Sequence, residues 1–139
     1  MSPTIDQDLQ DLKAEFDILS DWEERYRHII DLGKALPPLS DDERSETNRV
    51  RGCASQVWLV TEGSGERLQF RGDSDAHIVR GLIALLLRLY SDRAAEDILA
   101  FDARAALGEL GLDGALSTQR TNGLASMVER IRRDAADKL

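Results

Sequence analysis

Gln56-Val57-Trp58-Leu59-Val60-Thr61, then Glu62-Gly63-Ser64-Gly65-Glu66, then Arg67-Leu68-Gln69-Phe70-Arg71 is the stretch that decides the fold class. Its first six residues are rich in β-branched and aromatic side chains, which suit a pleated, half-buried surface. The next five form a turn signal. The last five alternate polar and apolar at the period of a strand, so the stretch predicts an antiparallel hairpin. Two strands alone are marginal in water, and this pair needs a third strand or a helical cover. The run from Ala76 to Tyr90 is apolar nearly all round, with Ser74 or Asp75 expected as its N-cap, and is predicted to be a central, buried helix.

Outward from the hairpin the signal is helical. Leu9, Leu12, Phe16 and Leu19 recur at spacings of three and four, giving helix one. Ser20 with Glu23 matches a capping box, and Trp22, Tyr26, Ile29 and Ile30 supply the apolar stripe of helix two, which ends before Pro37-Pro38. From Ser40 to Arg49 only a short helical turn or loop is expected. Between Ala94 and Ala115, Gly108, Gly111 and Gly114 break the apolar pattern into short helices and turns. The last helix opens at Ser117 or Thr118 and carries Leu124, Met127, Val128 and Ile131. Trp22 and Trp58 are expected in the core. The expectation is an α+β fold, a small antiparallel sheet flanked by helices, in one domain over 1–139; no repeat or Pro/Ser-rich linker marks a boundary.

The 139 residues suffice for one core, and 42% hydrophobic with 32% charged residues is globular composition. Eighteen Lys and Arg against 26 Asp and Glu give a net charge of −8, which phosphate backbones and anionic lipid would repel. Nucleic acid and membrane are therefore not expected partners. Met1-Ser2-Pro3-Thr4-Ile5-Asp6 has no basic or apolar leader pattern, so the expected location is the cytoplasm. The most apolar stretch, Ile78 to Tyr90, is interrupted by Arg80 and Arg88 and is short of the roughly 20 residues of a membrane span. The chain has one cysteine, Cys53, and no Cys-x-x-Cys or zinc spacing, which disfavours a disulfide, a structural metal or a resident four-ligand cluster.

A lone cysteine in a cytoplasmic protein is ordinarily a small inert hydrophobe. Cys53, however, stands between Gly52 and Ala54-Ser55, in a turn ahead of a strand, where another protein's sulfur can approach. Attack on a sulfur–sulfur bond requires the thiolate, and one thiol suffices to hold a persulfide. A second cysteine would expel the stored sulfur and close a disulfide, so its absence suits a carrier.

Val50-Arg51-Gly52-Cys53-Ala54-Ser55-Gln56-Val57-Trp58 resembles the signature around the acceptor cysteine of the SufE family. The similarity extends to Asp21 through Tyr26, Ile29 through Gly33, Leu36-Pro37, Arg44-Ser45 with Asn48, Gly72 through Ala76, Ile78-Val79, Gly81 through Ile83, and Arg120 with Gly123-Leu124 and Met127. It covers nearly the whole chain and implies a fold like that of the IscU scaffold proteins. It also implies a sulfurtransferase-like carrier that works only with a partner: a SufS-type cysteine desulfurase passes persulfide sulfur to Cys53, is stimulated in doing so, and the sulfur moves on to a SufB-containing cluster scaffold. Pyridoxal phosphate belongs to the desulfurase, and no cofactor of this chain is implied. CsdE proteins share the signature, so a CsdA-type desulfurase fits as well.

Helix capping alone would explain Asp75, and an arginine such as Arg120 is ordinarily a solvated surface charge. The resemblance implies that Asp75 lies beside the cysteine loop and helps hold or release the thiol, and that Arg120 contacts the desulfurase. Gly52, Ser55 and Gln56 read as loop-shaping residues. Cys53 is expected to rest against apolar surface with a raised pKa and to swing out on docking, guided by complementary charge from an acidic patch. Two other functions are weighed: a stand-alone thiol hydrolase with His28 or His77 as base, for which no oxyanion or triad signature exists, and a purely structural binding module.

Overall fold

The computed structural model describes residues 4–19, 21–112 and 116–139. Its elements in chain order are α1 (Ile5–Asp17), α2 (Trp22–Lys34), β1 (Val57–Ser64), β2 (Arg67–Ser74), α3 (His77–Tyr90), α4 (Ala95–Ala100), α5 (Ala103–Glu109) and α6 (Thr118–Asp137). The α+β expectation holds. β1 and β2 pair antiparallel from Val57↔Ser74 to Ser64↔Arg67, so both strands run further than the pattern indicates and the turn shrinks to Gly65-Glu66. Each edge is tied to a neighbouring segment by single bridges, Arg49↔Trp58 on one side and Leu68↔Arg93 on the other. These bridges supply part of what a third strand would.

The predicted central helix is central. Ten of the fourteen residues of α3 are buried, among them Leu82, Ile83, Leu85, Leu86 and Leu89. Each such side chain contributes roughly 1.5–3 kcal/mol when removed from water, which makes α3 the largest single apolar contribution to the core. It packs on β2 and on α2, while α1 and α6 close its remaining sides. The α2–α3 crossing is unusually close. A Cβ placed on Gly81 would stand 2.0 Å from the Ile29 carbonyl oxygen, and one on Gly33 would stand 2.5 Å from the Gly81 nitrogen. Backbone meets backbone there, and no side chain can yield.

A second constraint is electrostatic. Asp73, 1% exposed, lies at the end of β2. Its Oδ2 accepts from the Leu39 N–H at 3.1 Å and from Arg44 at 2.8 Å, and its Oδ1 accepts from the Ser74 N–H at 2.8 Å and from Arg80 at 2.6 Å. Arg80 also donates to the Leu36 carbonyl at 2.7 Å, so one carboxylate fastens β2, α3 and the segment leaving α2. Burial pushes the Asp73 carboxyl up, but Arg44, the two N–H groups and Arg80 outweigh it and hold it below its ordinary value.

Three local expectations are corrected. The N-cap of α2 is Asp21, whose side chain accepts from the Glu24 N–H at 2.8 Å, one residue later than the predicted Ser20–Glu23 box. Ser20 lies outside the described residues, as do residues 1–3 and the Gly114 and Ala115 assigned to the broken region. The cap position of α3 is Ala76, which has no side-chain oxygen. Ser74 Oγ takes the Ala76 N–H at 3.3 Å instead, and Asp75 turns away from the helix. Trp58 is not a core residue: Val57 and Leu59 take the inner face of β1, which leaves Trp58 half-buried on the other. Trp22 is likewise half-buried, packed against the core's edge.

Gly81→Ala is expected to lower stability by about 3 kcal/mol or more in urea denaturation, because the clash is with backbone. A loss under about 1 kcal/mol would contradict the crossing described. Asp73→Ala leaves two guanidiniums and two N–H groups without their acceptor and should cost about 3–5 kcal/mol. Since the folded carboxyl is held low, its contribution is present above the unfolded pKa of about 3.9 and fades as pH falls through the folded value. The variant's stability should therefore fall less steeply with acid than the wild type's.

Candidate functional site

Cys53 sits on a short arm tied at both ends. On the near side the Val50 N–H donates to the Val57 carbonyl at 2.8 Å and the Leu59 N–H to the Asn48 carbonyl at 2.9 Å. On the far side the Gln56 N–H donates to Asp75 Oδ1 at 3.1 Å, while the Ser74 hydroxyl donates to the Gln56 carbonyl at 2.6 Å. Among the described residues no such main-chain hydrogen bond is made by residues 51–55. Gly52 has φ of +90°, the left-handed region, and a Cβ there would lie 2.4 Å from Ser126 Oγ. Only glycine suits both the angle and the space.

The thiol itself is half-buried. Its Sγ–H donates to the Gly123 carbonyl of α6 at 3.6 Å, a weak bond, and Sγ would be 3.7 Å from a Cβ on Gly123. Beside it opens a cleft of about 310 Å³ with an apolar wall that includes Ile78, Leu82 and Met127, and a polar rim of Ser117, Gln119 and Arg120. Burial pushes the thiol pKa up, and the positive charge of Arg49 opposes it in part. At rest the group is therefore a sheltered thiol in the protonated form, with a nearby cation able to favour the thiolate once water reaches it.

The residues singled out in the sequence fall close together. Gly52, Cys53 and Ser55 share the arm, Asp75 clamps its far end, and Arg120 lines the cleft with its guanidinium 5.7 Å from the centre of the Tyr26 ring. The side chains of Ser55 and Gln56 make no hydrogen bond among the described residues; it is the main chain of Gln56 that is gripped, by Asp75 and Ser74. His28 is paired with Glu15 at 3.3 Å and lies edge-on to Phe16, and His77 is exposed at the start of α3. Neither histidine lines the Cys53 cleft, which leaves the hydrolase reading without a base. Among the described residues no three His, Cys, Asp or Glu side chains are grouped to hold a metal, and no helix is long and apolar enough to cross a membrane.

The sequence pattern assigns no site role to Arg49 or Ser126, and marks Tyr26 only as part of the apolar stripe of α2. Arg49 and Arg51 flanking a Gly-Cys turn were a readable charge signal; nothing in the sequence brings Ser126 to Gly52, since that contact spans the fold.

The chain matches the SufE family, described as an Fe-S metabolism associated domain, over residues 10–135. It is 53% identical over 131 residues to an uncharacterized SufE-like protein of Rhizobium etli, covering 91% of this chain and 88% of that protein. A second such protein, from Rhizobium meliloti, is 47% identical over 135 residues, with 94% and 96% covered. The solution structure of a hypothetical protein from Thermus thermophilus superimposes with a TM-score of 0.74 over 96% of this chain and 94% of that one; at 18% identity it speaks for the fold alone.

Cys53 should react with iodoacetamide several-fold more slowly than free cysteine at neutral pH, and its rate should go on rising at pH values where free cysteine has levelled off. Gly52→Ala, with strain of roughly 1–2 kcal/mol at a positive φ, should unseat the arm and raise that rate. Equal rates for the wild type and free cysteine would show that the sheltered state is wrong.

Proposed function

The chain belongs to the SufE family, whose role lies in sulfur transfer for Fe-S metabolism, and from that premise we propose that it is a sulfur carrier loaded at Cys53 by a SufS-type cysteine desulfurase. The observation that carries the reading is a sole thiol on a tethered arm, seated against an apolar cleft, with no second cysteine in the chain. In the loading step Cys53 loses its proton and the thiolate Sγ attacks the terminal sulfur of the donor's persulfide. The new bond joins Sγ to that sulfur, the donor's own sulfur–sulfur bond breaks, and its electron pair leaves with the donor cysteine as a thiolate that takes up a proton. No net oxidation or reduction occurs, so no further reagent is needed. Removing the product persulfide from the desulfurase frees its cysteine for another cycle, which is how the carrier stimulates it.

The resting geometry favours this use. Burial keeps Cys53 protonated and slow to oxidise, and exposure of the arm beside Arg49 favours the thiolate when a donor is present. Unloading follows the same chemistry in reverse, the acceptor's thiolate on a SufB-containing scaffold attacking the carried sulfur. A CsdA-type desulfurase presents the same persulfide and would serve the same step.

After incubation with a SufS-type desulfurase, cysteine and pyridoxal phosphate, the intact wild-type protein should gain one or more sulfur masses that dithiothreitol removes. Cys53→Ser should gain none. A wild type that gains nothing beside an active desulfurase, or a serine variant that gains as much, would refute the proposal.

A further inference from the structure

Although the chain carries a net charge of −8, five of its 18 Lys and Arg residues line one cleft. A second cleft, of about 490 Å³, adjoins the cysteine arm where Gly52 rests on Ser126. Arg49, Arg51, Arg130, Arg132 and Arg133 line it, with Glu129 as its acidic residue among those described. Two of the five are built into the wall. Arg130 donates to the Arg49 carbonyl at 3.2 Å and the Thr47 carbonyl at 3.1 Å and pairs with Asp134; Arg132 donates to the Leu99 carbonyl at 3.0 Å. The other three are available. Arg49 and Arg51 meet Glu46 at 3.7 and 2.6 Å, but that side chain is 71% exposed, and exposed pairs exchange readily. Arg133 is exposed and makes no hydrogen bond or ion pair among the described residues.

We propose that this arginine cleft is the docking surface for a carboxylate-rich segment of the sulfur donor, an inference that rests on the carrier reading. Guanidinium forks grip carboxylates in pairs, and arginine is enriched at the residues that anchor interfaces. With five arginines against one glutamate in its lining, the cleft attracts an acidic partner and would steer it to the side of the arm, so docking here uses a basic surface and not the acidic patch expected from the sequence. The donor is favoured over the acceptor because the cleft adjoins the arm in its seated state, which is the state the unloaded carrier presents. Glu46 acts as a built-in competitor, occupying Arg49 and Arg51 until a partner's carboxylates replace it.

The test is desulfurase turnover measured against the concentration of full-length carrier. Arg51→Glu with Arg133→Glu should raise the carrier concentration at half-maximal stimulation about tenfold or more while leaving the maximal rate within about twofold. Glu46→Gln, which frees the two loop arginines, should lower that concentration about threefold. Both shifts should shrink in about 0.5 M NaCl, where the screening length falls to a few ångströms. Iodoacetamide labelling of Cys53 should be the same in all the proteins, showing that the arm is still seated. Unchanged half-saturation in both variants overturns the assignment, as does a defect confined to unloading onto the acceptor, or a DNA duplex bound by the wild type and lost by the double variant with donor kinetics unchanged. If the wild type takes no sulfur at all, the carrier reading fails; if it loads normally while the variants show no shift, the docking surface alone fails.

Discussion

Asp73 is a charge taken out of water, and the arrangement around it decides where everything else goes. A buried carboxylate is unfavourable unless it is paired and hydrogen-bonded, so the chain must bring it four donors from three separate segments. In doing so Arg80 is drawn back to the end of α2, Leu39 is fixed at the start of the long connection, and β2 is held to its last residue. Immediately beyond Asp73 stand Ser74 and Asp75, the two side chains that grip Gln56. The position of the cysteine arm is thus set from the core outward, through one carboxylate and its two neighbours.

The elements were legible in the sequence because they are dictated by local patterning. The alternation of Leu68 and Phe70 and the apolar run from Ile78 to Tyr90 leave little choice of secondary structure, and α3 is buried as that run demands. What could not be read was the assignment of caps and faces. Ser20, Asp21, Ser74 and Asp75 are all competent capping residues, and which oxygen meets which N–H depends on where the strand stops and what lies across from it. Asp75 is the clearest case: a good cap by sequence, it is drawn instead to Gln56, nineteen residues away. Trp58 shows the same limit, since its inward neighbours Val57 and Leu59 settle the face by tertiary packing.

For the candidate site, the sequence pointed to the thiol, most of its surroundings and its burial, but not to the cation that opposes that burial. Burial on α6 favours the neutral thiol and Arg49 favours the anion, and the former prevails at rest. That balance is sensitive because it involves a half-exposed group on a five-residue segment whose seat is a glycine carbonyl and a serine. The contacts that hold it down are few and weak, in contrast to the close-packed backbone crossing of α2 and α3 beneath.

The ties at Val50 and Gln56 also set a limit on distance. Six peptide steps separate the two anchors, and at about 3.3–3.6 Å per residue the arm has a contour of roughly 20 Å. An arch of that length with both feet fixed can lift its midpoint by no more than about 10 Å, so Cys53 is a short crane. On the proposed carrier role, a partner whose own sulfur lies at the bottom of a deep pocket could not be served by it unless that sulfur rode on a mobile segment of its own. The geometry of this small protein therefore places the greater share of the travel on whatever it meets.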